Sequence, residues 1–159
     1  HLNVLVETLE GEPLLRCRQE MCVVDVTDNS LRRVNTTPFP MDLPLQPPVL
    51  DTPFDRRKRA LDGCDLAYTH IVRSTDTDFN GHMNNVAYVR LLLDAFPSDF
   101  WDTHPVQAFD IHFAAESREG EKLQIFRKQE GDEIAFQIRA GDRAVIKAFL
   151  SLRPQGETE

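Results

Sequence analysis

Apolar and polar positions alternate through most of this chain, and in one stretch they fall instead into a helical period. Residues 84–96 carry Val86, Val89, Leu92, Leu93 and Phe96 at that spacing, and Ala87, Leu91 and Ala95 widen the stripe nearly all round. The pattern predicts a helix of ~13 residues, about 20 Å long, buried on most sides and ended by Pro97. A strand-like run over 65–73 leads towards it. Four more follow it, at roughly 105–115, 121–129, 132–140 and 143–152, punctuated by Gly120, Gly131-Asp132 and Gly141-Asp142. A strand, a buried helix and four antiparallel strands define an α+β domain. A curved sheet wrapped round the helix is the economical way to bury it.

The front of the chain has no such helix. Residues 2–9 read as a strand, Gly11-Glu12-Pro13 as a turn and 14–26 as a second, longer strand. Thr27-Asp28-Asn29-Ser30 then turns the chain into Leu31-Arg32-Arg33-Val34. Two or three strands cannot bury an apolar face alone, so this opening is expected to be the end of something larger. Six of the ten prolines fall between Pro38 and Pro53. Proline removes donors and fixes φ, so 35–63 is expected to be an extended linker. Near its end stands the basic run Arg56-Arg57-Lys58-Arg59, which in most proteins is a solvated loop.

Composition narrows the partners. A chain of 159 residues is enough for one domain with a real core. Its net charge of −8 argues against nucleic acid. No apolar run approaches a membrane span and no signal peptide is visible, so a cytoplasmic protein is expected. Cys17, Cys22 and Cys64 make no disulfide framework. Cys17 and Cys22, five apart on the expected second strand, would face opposite sides and make a poor metal pair. His70, His104 and His112 have no carboxylate at metal spacing and are expected to be structural. No metal or cofactor is expected.

The densest chemistry lies between the strand and the helix, in Arg73-Ser-Thr-Asp76-Thr-Asp78-Phe-Asn80-Gly81-His82-Met-Asn84-Asn85-Val-Ala-Tyr88. Much of it suits a plain turn: Asp, Asn and Gly bond local backbone and tolerate positive φ, and Asn84 or Asn85 would cap a helix. An imidazole beside a carboxylate at a helix mouth is not needed for that. Asp76-x-Asp78-x-Asn80-Gly81 also opens like a calcium loop, but the position that needs a bidentate Glu falls on Ala87.

Asp78-x-Asn80-x-His82-x-Asn84-Asn85-x-x-Tyr88 resembles the catalytic motif of the acyl-acyl carrier protein thioesterases, double hotdog enzymes of fatty acid synthesis. The shorter Asp-Thr-Asp…Gly-His-x-Asn-Asn-x-x-Tyr pattern also resembles single-hotdog acyl-CoA thioesterases. Met21 to Val34 looks like the closing strands of the first hotdog of the carrier-protein branch, where a Val-Asp-Leu…Arg-Arg pattern precedes the linker. The resemblance therefore implies closing strands of a truncated first hotdog over 1–34, a linker over 35–63, a complete hotdog over 64–153 and a tail over 154–159. It implies a hydrolase acting on acyl carrier protein with its acyl-phosphopantetheine, and association as a homodimer or with further hotdogs. Arg56, Arg57, Lys58 and Arg59 would then contact the acidic carrier or its phosphate; the chain's net charge gives no global attraction.

The same resemblance carries catalytic roles onto Asp78, Asn80 and His82. A fourth family residue, a Glu after the helix, falls on Glu116. Plant members follow it with Cys, where this chain has Ser117, which puts a thiol mechanism in doubt. The residue types suit thioester hydrolysis. Asn80 donates to a carbonyl, and His82 donates to it or acts as a base near neutral pH. Asp78 orients a neighbour or activates water. Gly81, Asn84 and Asn85 bring free helix N–H groups and a positive dipole end to an oxyanion. On a regular strand, however, Glu116 shares the face of Asp110 and His112, away from Phe109, Ile111 and Phe113. It reaches the site only through a bulge or at an interface. The competing functions are an acyl-CoA thioesterase and a non-catalytic acyl-binding or dimerising hotdog module.

Overall fold

The computed structural model describes residues 1–25, 27–28, 30–44, 46–51, 61 and 63–154. The chain forms two units, His1–Arg57 and Lys58–Glu159. Among the described residues no helix is long and apolar enough to cross a membrane.

The first unit consists of two antiparallel ribbons. Strands β1 (Leu2–Glu7) and β2 (Pro13–Gln19) pair from Leu2↔Gln19 to Glu7↔Pro13. The Thr8 side chain accepts from the N–H groups of Glu10 and Glu12 in the connecting turn. The second strand is shorter than its apolar pattern suggested. It ends at Gln19, and the chain resumes as β3 (Val23–Val24), paired with β4 (Leu31–Arg32). Cys17 and Cys22 therefore do not share a strand, and the three cysteines form no disulfide with one another. Arg32 clamps the β3–β4 turn through Asp25 at 3.0 Å and Asp28 at 3.2 Å. No described residue of this unit is fully buried. After β4, a 3-10 turn at Val34–Thr36 is the one regular element before residue 65 among the described residues.

The second unit contains the core. Strands β5 (Asp65–Ile71), β6 (Val106–Phe113), β7 (Lys122–Glu130), β8 (Glu133–Ala140) and β9 (Arg143–Leu152) form one antiparallel sheet in the order β5-β7-β8-β9-β6. Alternation decides which face is covered: on β8, Ile134, Phe136 and Ile138 are fully buried while Glu133, Ala135 and Gln137 are not. Leu123 and Ile125 of β7 and Ile146, Ala148 and Leu150 of β9 complete that face. Against it packs helix α1 (Asn85–Leu93) through Ala87, Tyr88, Leu91 and Leu92.

The helix differs from its expected form in two ways. It buries one face only; Val86 is 57% exposed and Leu93 also reaches solvent. It also stops at Leu93, four residues before Pro97. The last turns give up their carbonyls to side chains from elsewhere. The Tyr68 hydroxyl donates to Leu91 O at 2.6 Å, the Trp101 indole to Leu93 O at 3.2 Å, and Arg127 to Ala95 O. These donors satisfy the orphan carbonyls of a helix end, so tertiary contacts set the length. Pro97 then caps a second short helix, α2 (Ser98–Thr103), which the sequence pattern does not reveal. Six residues are too few to show a period. Its Phe100 and Trp101 pack on Phe96, with ring centroids 4.2 and 5.4 Å away.

Because only one face of α1 is buried, Leu92→Ala is expected to cost about 2–5 kcal/mol and Val86→Ala less than about 0.5 kcal/mol. Paired urea denaturation curves on the two variants check this. Equal losses would mean that the helix is enclosed on both sides.

Candidate active site

The turn between β5 and α1 is built around two carboxylates facing its own backbone. Asp76 Oδ2 accepts from the Arg73 N–H and pairs with His70 Nε2, both at 2.8 Å. His70 thus has a carboxylate partner six residues on, which its sequence spacing did not suggest. The Asp76 carbonyl accepts from Asn84 N–H at 2.8 Å. Asp78 Oδ1 accepts from Asn80 N–H at 2.8 Å and, more distantly, from His82 N–H at 3.4 Å. The Asp78 N–H bonds the His82 carbonyl, closing the loop. Gly81 lies at φ 72°, where a side chain would strain the backbone although nothing stands within 4 Å of it.

A second loop, after β6, completes the cluster. The strand ends at Phe113, so the alternation that would turn Glu116 away stops three residues before it. Ala114 and Ala115 both bond the Val145 carbonyl, and Arg143 donates to the Glu116 carbonyl. The Met83 N–H bonds the Ser117 carbonyl at 2.8 Å and joins the two loops. Glu116 Oε2 then lies 3.2 Å from His82 Nε2. Beside them, the Arg118 guanidinium is 2.8 Å from His82 Nε2 and 3.3 Å from Glu116 Oε1.

The other expected site residues fare differently. Asn80 is exposed on the turn, with its amide engaged by no described residue. The Asn84 side chain is committed to capping α1, accepting from Val86 N–H at 2.8 Å. Asn85 is the exposed first residue of the helix. The N–H groups of Met83, Asn84 and Val86 all have internal partners, so the helix start offers its dipole rather than the row of free donors expected there. Arg56, Arg57, Lys58 and Arg59 lie outside the described residues. Among the described residues no three His, Cys, Asp or Glu side chains stand close enough to hold a metal ion.

Ser117 is fully buried and its hydroxyl has no hydrogen-bond partner among the described residues. The Tyr88 hydroxyl lies beside it, also without a well-formed bond. Burial pushes the Tyr88 phenol up, and the neighbouring Ser117 and the Arg143 charge offset part of that rise. Arg118 was not singled out from the sequence. Its position two residues after Glu116 was the available signal.

A helix packed by one face on a five-stranded antiparallel sheet, with a polar cluster at the helix mouth, is the arrangement of a hotdog fold. The family model for the acyl-ACP thioesterase C-terminal domain matches residues 64–149, more than half of the chain, and the chain belongs to that family. Among solved structures, the acyl-ACP thioesterase from Bacteroides thetaiotaomicron VPI-5482 is 24% identical with a TM-score of 0.60, over 68% of this chain and 44% of that one. The 12:0-ACP thioesterase from Umbellularia californica is 22% identical with a TM-score of 0.54, over 62% and 39%. At these identities the likeness shows the fold, and the chain spans less than half the length of either structure. No curated protein sequence matches it.

The turn should respond to acid through Asp76. Desolvation is the largest single influence and raises its pKa. The Arg73 N–H, the bond to His70 and the charges of His70 and Arg73 together outweigh it and bring the pKa below the ordinary 3.8. A carboxyl more acidic in the folded protein adds stability above the unfolded pKa and loses it as pH falls through the folded one. Asp76→Asn is therefore expected to be less stable than the parent at neutral pH. The gap should narrow as pH drops below the ordinary carboxylate range, as thermal melts across pH 2–6 would show. A constant gap would remove Asp76 from the acid response.

Proposed function

We propose that the second unit hydrolyses the thioester of fatty acyl-acyl carrier protein and releases a free fatty acid. The observation that carries this reading is the approach of Glu116 to His82, 3.2 Å apart, from two loops far apart in sequence. A scaffold that only binds or dimerises needs no carboxylate and imidazole in contact beside an uncommitted amide. Membership of the acyl-ACP thioesterase family supports the carrier, and no feature of the described residues favours coenzyme A over it.

In this reading water attacks the thioester carbonyl carbon and gives its proton to the Glu116–His82 pair. Asn80 donates its amide to the carbonyl oxygen as negative charge develops there, aided by the positive end of α1. Collapse of the tetrahedral intermediate breaks the C–S bond, and the departing thiolate takes the proton back. Asp78 acts through the backbone: by holding the N–H groups of Asn80 and His82 it keeps both side chains on the open side of the turn. Phe79, almost wholly exposed between Asp78 and Asn80, gives the acyl carrier an apolar surface beside the reacting group. Ser117 is out of reach of a substrate, and a serine needs a base of its own to attack at neutral pH. Strand β6 ends the sheet, with Val106, Phe109 and Phe113 exposed. An unpaired apolar edge of that kind suits pairing with another hotdog, and sedimentation is expected to show at least a dimer.

Steady-state hydrolysis of a long-chain acyl-carrier protein, set beside the acyl-CoA of equal length, tests the assignment. Asn80→Ala and Glu116→Gln are each expected to lower kcat by about 10²–10³ without loss of fold. Ser117→Ala should keep most activity. A dead Ser117→Ala beside an active Glu116→Gln would make the serine the nucleophile and end the carboxylate mechanism. Faster turnover of the acyl-CoA would move the chain to the other carrier.

A further inference from the structure

His82 Nε2 has two neighbours that make opposite demands. A guanidinium only donates, so Arg118 at 2.8 Å requires a lone pair on Nε2. A carboxylate only accepts, so Glu116 at 3.2 Å requires a proton there. One ring nitrogen cannot meet both. The Arg118 contact is the shorter, and the same guanidinium reaches Glu116 Oε1 at 3.3 Å, which draws the carboxylate into an ion pair with Arg118.

We propose that Arg118 is a positioning residue that sets the tautomer of His82, holding the proton on Nδ1 and leaving Nε2 as the basic nitrogen. This rests on the proposed thioesterase site and decides which of two roles His82 plays there. With Nε2 unprotonated, the imidazole accepts the proton of the attacking water. With Nε2 protonated, it serves as a donor to the carbonyl, and Glu116 alone is left as the base. The other charged groups near the pair do not compete for Nε2. Asp78 faces the His82 backbone N–H, and Arg143 is engaged with the Glu116 carbonyl and the Glu121 carboxylate. The Arg118 side chain is 63% exposed, so it can swing off Nε2 as water and substrate enter. Its removal is expected to leave the core intact.

The test uses the whole protein labelled with ¹⁵N-histidine, with the His82 signals assigned by their loss in His82→Gln. Long-range ¹H–¹⁵N correlations are recorded at a pH where the ring is neutral. In the parent, Nε2 should carry the lone pair and Nδ1 the proton. Arg118→Ala should move the proton to Nε2, next to Glu116, and Arg118→Lys, which keeps a donor, should preserve the parent tautomer. In hydrolysis assays Arg118→Ala should lower kcat by about tenfold or more with KM within about twofold, and the lysine should recover most of it. The same tautomer in the parent and in Arg118→Ala would overturn the assignment, as would a parent already protonated on Nε2. A tautomer change between the parent and Arg118→Ala, in a parent that hydrolyses no acyl thioester, would retire the thioesterase reading while leaving Arg118 as the residue that places the proton.

Discussion

The burial of one short helix governs this structure. Four side chains of α1, Ala87, Tyr88, Leu91 and Leu92, supply its fully buried face, and the inner faces of β7, β8 and β9 close over them. Since the helix start is held by that packing, the turn before it is held too, and the polar cluster inherits the rigidity of an apolar core. The first unit shows the contrast. Its two ribbons pair without an α-helix among the unit's described residues, and none of those residues is fully buried.

A second constraint brings the chemistry together. The bond from Met83 N–H to the Ser117 carbonyl ties the turn before α1 to the loop after β6. Val145 and Arg143 at the start of β9 hold that loop from the other side, through Ala114, Ala115 and Glu116. On the loop itself every one of these anchors is a backbone group, so the Glu116 and Arg118 side chains are left to point at His82. Asp76 and Asp78 do the equivalent service on the facing turn, where both carboxylates accept from main-chain N–H groups and Asp76 also holds His70.

How much of this was legible in the sequence follows the range of the forces involved. The five strands of the second unit were visible because a half-buried strand must alternate, and the start of α1 because Asn84 is a local cap. The motif residues Asp78, Asn80 and His82 fall on one turn, so their proximity needs no fold. The end of α1 was not legible, because Tyr68, Trp101 and Arg127 decide it from three other elements. Helix α2 was too short to show a period. Glu116 looked misdirected because parity was carried past Phe113, where the strand has already stopped. The His70–Asp76 pair joins a strand to a turn, and Arg118 meets His82 across 36 residues; neither contact has a local signature.

The two buried hydroxyls of Tyr88 and Ser117 bear on what this position tolerates. A buried polar group that makes a good hydrogen bond is costly to replace, because its partner is left stranded. Ser117 strands little, since its hydroxyl makes no well-formed hydrogen bond among the described residues and only the Tyr88 phenol lies beside it. Its carbonyl, which holds Met83, belongs to the backbone and survives any substitution. Exchange between serine, alanine and cysteine there is close to neutral for folding. The identity of that residue is thus loosely held by folding, and a hydroxyl at that place is by itself no sign of a nucleophile.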